Sequence, residues 1–224
     1  MVEIIELQKE ARDRTNFLRK SLPSEIDPVS LSRVKLAFKP IAYRETLIWR
    51  TEELARCACD LYERGDLGAA VVLTRAVTEC AAACWYVMVQ VRDFSPEAHS
   101  SLNLTFDRLA LGAMNNPDMP KPIHVGDMIR EVDEKIPGFK DRYGDLSEFT
   151  HPNWSATTLL YSLINKETKM MSFGSNPRAS NWPATLGLKA LTGSLGIFEY
   201  AYNQISDLMP NYVEACERAI PAES

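Results

Sequence analysis

The sequence predicts an all-α fold, a helical bundle around one buried central helix, with one short hairpin near 165–175. Three observations carry that expectation. The stretch Leu67–Val91 has only Gly68, Thr74, Arg75, Thr78, Glu79 and Gln90 outside the hydrophobic set, and it contains no Pro. A helix apolar nearly all round is one that other elements cover on most sides. Apolar residues at three- and four-residue steps recur before and after it, and clusters of Gly and Pro separate those runs.

In chain order, residues 2 to about 20 read as a charged amphipathic helix with Ile4, Leu7, Ala11 and Leu18 on one face. The segment SLPSEIDPVS, with Pro23 and Pro28, reads as a linker, so residues 1–22 are expected to form a solvated helical arm. The main bundle is placed at 40–218. From Ile41 to Glu63 the set Leu47, Leu54, Ala58 and Leu61 keeps a helical period. Gly65 suits a left-handed helix end and Asp66 an N-cap, so 41–63 should fold back antiparallel on the central helix. Ser95-Pro96 opens a helix to about Met114, and Ile123–Ile136 forms a short one. Another starts near Phe139 and stops at or before His151, because Pro152 follows. Residues 154–165 are expected to continue as helix, and Lys169–Phe173 as an extended segment. A last helix runs from Pro183 to about Leu208 on the seam Leu188, Leu191, Leu195, Phe198, Tyr202 and Ile205. Gly187, Gly193 and Gly196 weaken that helix, and close helix–helix approach is the expected reason for them.

The net charge of −5 argues against a broadly basic surface, so any nucleic acid would need a local patch of Lys and Arg. Five Cys, with no CxxC pair, argue against a disulfide framework or a zinc site and for a reducing compartment. The acidic N-terminus is unlike a secretory signal. Arg75 and Glu79 interrupt the one long apolar helix, which argues against a membrane span. The expected location is the cytoplasm.

Two polar clusters stand out. On the central helix, Thr74, Arg75, Thr78 and Glu79 pair at four-residue spacing and are expected on one narrow buried stripe, with Ala82 and Ala83 leaving space one turn along. In GDLSEFTHPNW, residues 144–154, helical spacing would bring Ser147, Glu148 and His151 onto one face, with Asn153 at the following turn. The two clusters are expected to meet, because buried polar groups need partners. Glu148 and His151 form a Glu-x-x-His, but a di-metal bundle needs two such motifs and further Glu residues. No metal and no cofactor are expected.

LTRAVTECAAACWYV and YGDLSEFTHPN, followed by KMMSFGS and a last apolar helix, resemble a group of bacterial helical proteins related to the HEPN superfamily. The resemblance spans roughly residues 40–208. It implies a helical bundle, a homodimer, and a metal-independent RNA-cleaving or RNA-binding role in toxin–antitoxin or phage-defence systems. An antitoxin or a nucleotidyltransferase is the implied protein partner, and RNA or a nucleotide the implied ligand. The family's signature is an Arg followed a few residues later by a His; here eight residues lie between Arg142 and His151. In an RNA-cleaving chain His151 would exchange protons with the ribose and leaving oxygens. Arg75 or Arg142 would stabilise charge on the phosphate, and Glu79 would orient Arg75 or His151. Ser147, Glu148, Asn153 and Thr78 would contact the substrate. The other reading is a non-enzymatic helical binding module in which these groups form a structural polar network. A sealed, fully paired cluster would be structural; one that reaches solvent is available to a ligand.

Overall fold

A computed structural model describes residues 2–27 and 32–219. The chain is an all-α bundle with one small two-stranded sheet. Helix α1 spans Val2–Lys20, α2 Lys35–Arg64, α3 Leu67–Arg92, α4 His99–Leu111, α5 Val125–Asp133, α6 Phe139–Ser147 and α7 Trp182–Arg218. Of the expected linker, residues 28–31, Pro28 among them, lie outside the described residues.

Helix α3 occupies the centre, covered by α2, α5, α6 and α7. Its most apolar stretch reaches a mean hydropathy of 1.5, high enough for a membrane-crossing helix by composition, and 61% of that stretch is buried in this fold. Ala70, Ala81 and Ala82 are fully buried there, small enough to let neighbouring helices come close. The turn into α3 forms as expected on one side only. Gly65 adopts φ +81°, and the N–H groups of Gly65 and Asp66 return to Tyr62 O and Leu61 O, satisfying carbonyls at the end of α2. Asp66 makes no side-chain cap, because its carboxylate takes Arg64 Nε at 3.0 Å instead.

Helix α2 begins six residues before the expected Ile41, carrying Pro40 inside it. A proline there leaves the carbonyl four residues back without its helical donor. That carbonyl belongs to Leu36, and the Tyr212 hydroxyl donates to it at 3.3 Å. Tyr212 lies on a stretch of α7 that passes Pro210 and keeps the buried seam going through Met209, Tyr212 and Cys216. The expected stop near Leu208 is therefore corrected: the three- and four-residue spacing outlasts the proline.

Helix α1 is not a solvated arm. Ala11, Thr15 and Leu18 are buried, and Arg12 Nη2 bonds Asp60 Oδ1 at 2.6 Å and Glu63 Oε1 at 2.8 Å on α2. Lys189 of α7 pairs with Glu3 at 2.7 Å.

The helix expected over 154–165 forms only in its first part, 155–161, and ends there. Asn153 Oδ1 accepts the Ala156 N–H at 3.2 Å and starts a single π-helical turn, Ser155–Leu159. Strand β1, Ser162–Ile164, then pairs antiparallel with β2, Met171–Phe173. Leu and Ile suit either state, and a partner strand decides it. Bonds from Asn165 N to Met170 O and from Gly174 N to Tyr161 O lengthen the hairpin at both ends. The hairpin expected near 165–175 thus exists and starts several residues earlier.

Close approach explains one of the three α7 glycines. A Cβ at Gly187 would collide with the Tyr62 hydroxyl; at Gly193 it would meet nothing, and at Gly196 only the end of Arg14.

Candidate functional site

The central-helix polar residues do not form one narrow stripe. Neighbouring positions on a helix lie about 100° apart, so Thr74 and Thr78 face one way and Arg75 and Glu79 another. The threonines turn inward. Thr74 Oγ1 shares a bond with the Tyr62 hydroxyl at 2.9 Å, and Thr78 Oγ1 with Ser194 Oγ at 2.9 Å. Both also bond the carbonyl four residues back on their own helix. Thr78 is fully occupied inside the core and contacts no open site.

Arg75 and Glu79 face α6. Arg75 Nε donates to Ser147 Oγ at 3.0 Å and Nη2 to the Tyr143 hydroxyl at 2.5 Å, with the guanidinium 4.9 Å above the Tyr143 ring. The hydroxyl then donates to Glu79 Oε1 at 2.8 Å, and Arg75 Nη2 lies 3.1 Å from the same oxygen. Ser147 Oγ completes the set by donating to Tyr143 O at 2.8 Å. Burial raises the Tyr143 pKa, and its bond to Glu79 adds to the rise, so the phenol stays a donor at neutral pH. Helix α6 packs on α3, and four-residue spacing sets Tyr143 and Ser147 side by side over Arg75.

The expectation of full burial is corrected. The Arg75 and Glu79 side chains are 30% and 31% exposed. Replacing Glu79 by Ala is therefore expected to cost about 1–2 kcal/mol, the value of a half-open charged hydrogen bond rather than a sealed ion pair. Urea unfolding of the two proteins checks this.

His151 does not join the cluster. Helix α6 ends at Ser147, and Phe149 N and Thr150 N bond carbonyls only three residues back, tightening the chain into a turn. Helical spacing past Ser147 therefore no longer holds. His151 is exposed beyond that turn. Glu148 is exposed as well, and its Oε2 accepts from Asn153 Nδ2 at 2.7 Å. Arg142 points elsewhere, 3.9 Å from Asp145. Of the residues expected from the sequence, the structure gathers Arg75, Glu79 and Ser147, and adds Tyr143.

Beside this cluster lies an open groove of about 320 Å³ between α2, α3 and α5. Tyr43 and Arg50 line one wall, Ala76, Glu79 and Ala83 another, and Met128 the third. Of the space expected beside Ala82 and Ala83, only Ala83 borders this groove; Ala82 is fully buried, and the groove opens toward α2 and α5 and not toward α6. Cys80 also borders the groove, but burial raises its pKa against the opposing pull of Arg50, which keeps it a thiol.

Compared with family models, with curated proteins and with solved structures, the chain finds no match in any of the three. The resemblance to HEPN proteins rests on its two motifs.

A second polar cluster supplies a contrast. Arg44 and Glu45 of α2 are each 8% exposed. Arg44 Nε bonds Glu45 Oε1 at 2.8 Å, Arg44 Nη1 bonds Ser206 Oγ at 2.5 Å, and the guanidinium stacks 4.2 Å over Tyr202. The Tyr202 hydroxyl donates to Glu45 Oε2 at 2.6 Å, so both carboxylate oxygens are taken. This cluster is sealed and paired, the mark of a structural network. The cluster on α3 is paired but open.

Proposed function

We propose that the chain is a non-enzymatic helical binding module whose site is the groove beside Arg75, Tyr143 and Glu79. The observation that carries this reading is the position of Glu79. Its Oε1 takes the bonds from Tyr143 and Arg75, and the same side chain lines the groove. Among the described residues nothing bonds Oε2, which leaves it for a ligand donor while the partners of Oε1 fix the carboxylate. Around it, Ala76, Ala83 and Met128 offer an apolar floor. A ligand with an apolar body and one hydroxyl or ammonium group matches that combination, a few polar contacts placed in a largely apolar cleft.

The alternative, metal-independent RNA cleavage, needs a proton-transfer group within hydrogen-bond reach of the phosphate-binding Arg. His151 stands exposed past the end of α6, outside the Arg75 network, which supports the binding reading. Two experiments separate them. With total RNA, neither the wild type nor His151→Ala is expected to produce fragments; cleavage by the wild type that His151→Ala abolishes would overturn the proposal. In a fragment library screened by NMR, the hits should shift signals of Ala76, Ala83 and Met128, and Glu79→Gln should weaken those carrying an ammonium. Hits that map away from the groove, or no hits at millimolar fragment, would count against it.

A further inference from the structure

The groove between α2, α3 and α5 is built on two matched rails. Tyr43, Leu47 and Arg50 recur at four- and three-residue steps on α2, and Ala76, Glu79 and Ala83 at three- and four-residue steps on α3, so each set lies on one helix face. The two helices run antiparallel through the turn at Gly65, which sets Arg50 near the Glu79 level of α3 and Tyr43 nearer the Ala83 level. Cys80 senses both charges. Burial raises its pKa, with Arg50 pulling it down and Glu79 adding to the rise, so the two act on one sulfur at the same end of the groove.

Neither charge neutralises the other. Glu79 pairs with Arg75, and among the described residues no carboxylate pairs with Arg50, whose neighbour is the Cys80 thiol. Arg50 is exposed and open to a ligand. Further along, the lining is apolar: Ala83, Met128 and the Tyr43 ring, whose phenol burial keeps neutral by pushing its pKa up to about 12.

We propose that the groove takes a free α-amino acid with an apolar side chain, its carboxylate on Arg50, its ammonium on Glu79 Oε2 and its side chain toward Tyr43, Ala83 and Met128. This rests on the groove being a binding site and names the class of ligand. An α-amino acid carries both charges on one carbon, as a cation and an anion at one level of a groove require. A peptide separates its termini by about 3.3–3.6 Å per extended residue, so it would satisfy one charge and leave the other. A phosphate or nucleic acid brought to Arg50 would meet the Glu79 carboxylate and a single unpaired cation, where phosphate binding needs clustered Lys and Arg. The volume of about 320 Å³ lies at the small end of the usual range for small-molecule clefts, about 300–1,000 Å³.

Titration calorimetry of the full chain with three probes of one shape tests the assignment: L-leucine, isoamylamine, which lacks the carboxylate, and isocaproate, which lacks the ammonium. L-leucine should bind, and each truncated probe should bind roughly tenfold or more weakly, the loss expected for one charge-assisted hydrogen bond. Arg50→Gln, at an exposed position, should bring L-leucine down to the affinity of isoamylamine. Glu79→Gln, which keeps an acceptor for Tyr143, should bring it down to that of isocaproate. Arg142→Gln, the same charge change beside Asp145 on α6, should leave all three affinities unchanged. Isoamylamine binding as tightly as L-leucine, or L-leucine indifferent to Arg50→Gln, would overturn the amino-acid assignment and leave the groove as a binding site for amines. Fragments that map to the groove while L-leucine fails to bind at about 10 mM would overturn it in the same way. A groove that takes neither fragments nor L-leucine would remove both readings.

Discussion

Replacing Arg44 by Ala is expected to lower the unfolding free energy by about 3–5 kcal/mol, because it strands Glu45 as a buried charge without its cation. For a chain of this length that corresponds to a fall in Tm of roughly 10 °C, at about 2–4 °C per kcal/mol. The cause is the sealed position of the pair, with Tyr202 bonding the second carboxylate oxygen and Ser206 the guanidinium. Removing both charges together should cost much less. Arg44→Met combined with Glu45→Leu replaces the ion pair by apolar groups that need no partners, a change that is often close to neutral. Calorimetry on the single and double variants checks both signs. A double variant as unstable as the sum of the singles would contradict the account of this cluster as a desolvated pair.

Gly187→Ala should be the other large loss, and Gly193→Ala on the same helix should be a gain. At Gly187 the new Cβ collides with the Tyr62 hydroxyl, a buried group bonded to Thr74 at 2.9 Å. Overpacking of this kind costs about 1–3 kcal/mol, and breaking the buried bond adds about 1 kcal/mol more. At Gly193 the side chain would enter open space on an exposed face, so only the backbone preference for Ala remains, worth about 0.5–1 kcal/mol of stabilisation. Urea denaturation of both variants reads the two effects with opposite sign. Equal shifts would mean that helix propensity alone governs α7.

Much of the fold was legible in the sequence, and specific residues show why. The central helix was visible because its apolar run has almost no polar face, and the seam Leu188–Ile205 because it keeps its period. The expectations that failed did so where a local rule met a tertiary partner. The helices expected from Ile41 and to about Leu208 run on past Pro40 and Pro210, Pro40 with the hydroxyl of Tyr212 bonded to the carbonyl it leaves open. Ser162–Ile164 became strand because a second strand lies within reach. Of the candidate site, Arg75 and Glu79 were visible as charges in an apolar helix, and Ser147 by its motif. Tyr143 was missed, although its four-residue spacing from Ser147 placed it on the same face. His151 was misplaced, because its assignment assumed that α6 continued one more turn. Arg44 and Glu45 went unmarked, since adjacent charges on a helix ordinarily point apart.

Two double-mutant cycles sharing Glu79 test most directly whether the polar site is built from α3 and α6 without His151. Glu79→Ala with Tyr143→Phe should show a coupling of about 0.5–1.5 kcal/mol, because the pair share a hydrogen bond at 2.8 Å. Glu79→Ala with His151→Ala should add to within about 0.3 kcal/mol, as separated groups do. Strong coupling to His151 and none to Tyr143 would contradict the site as described.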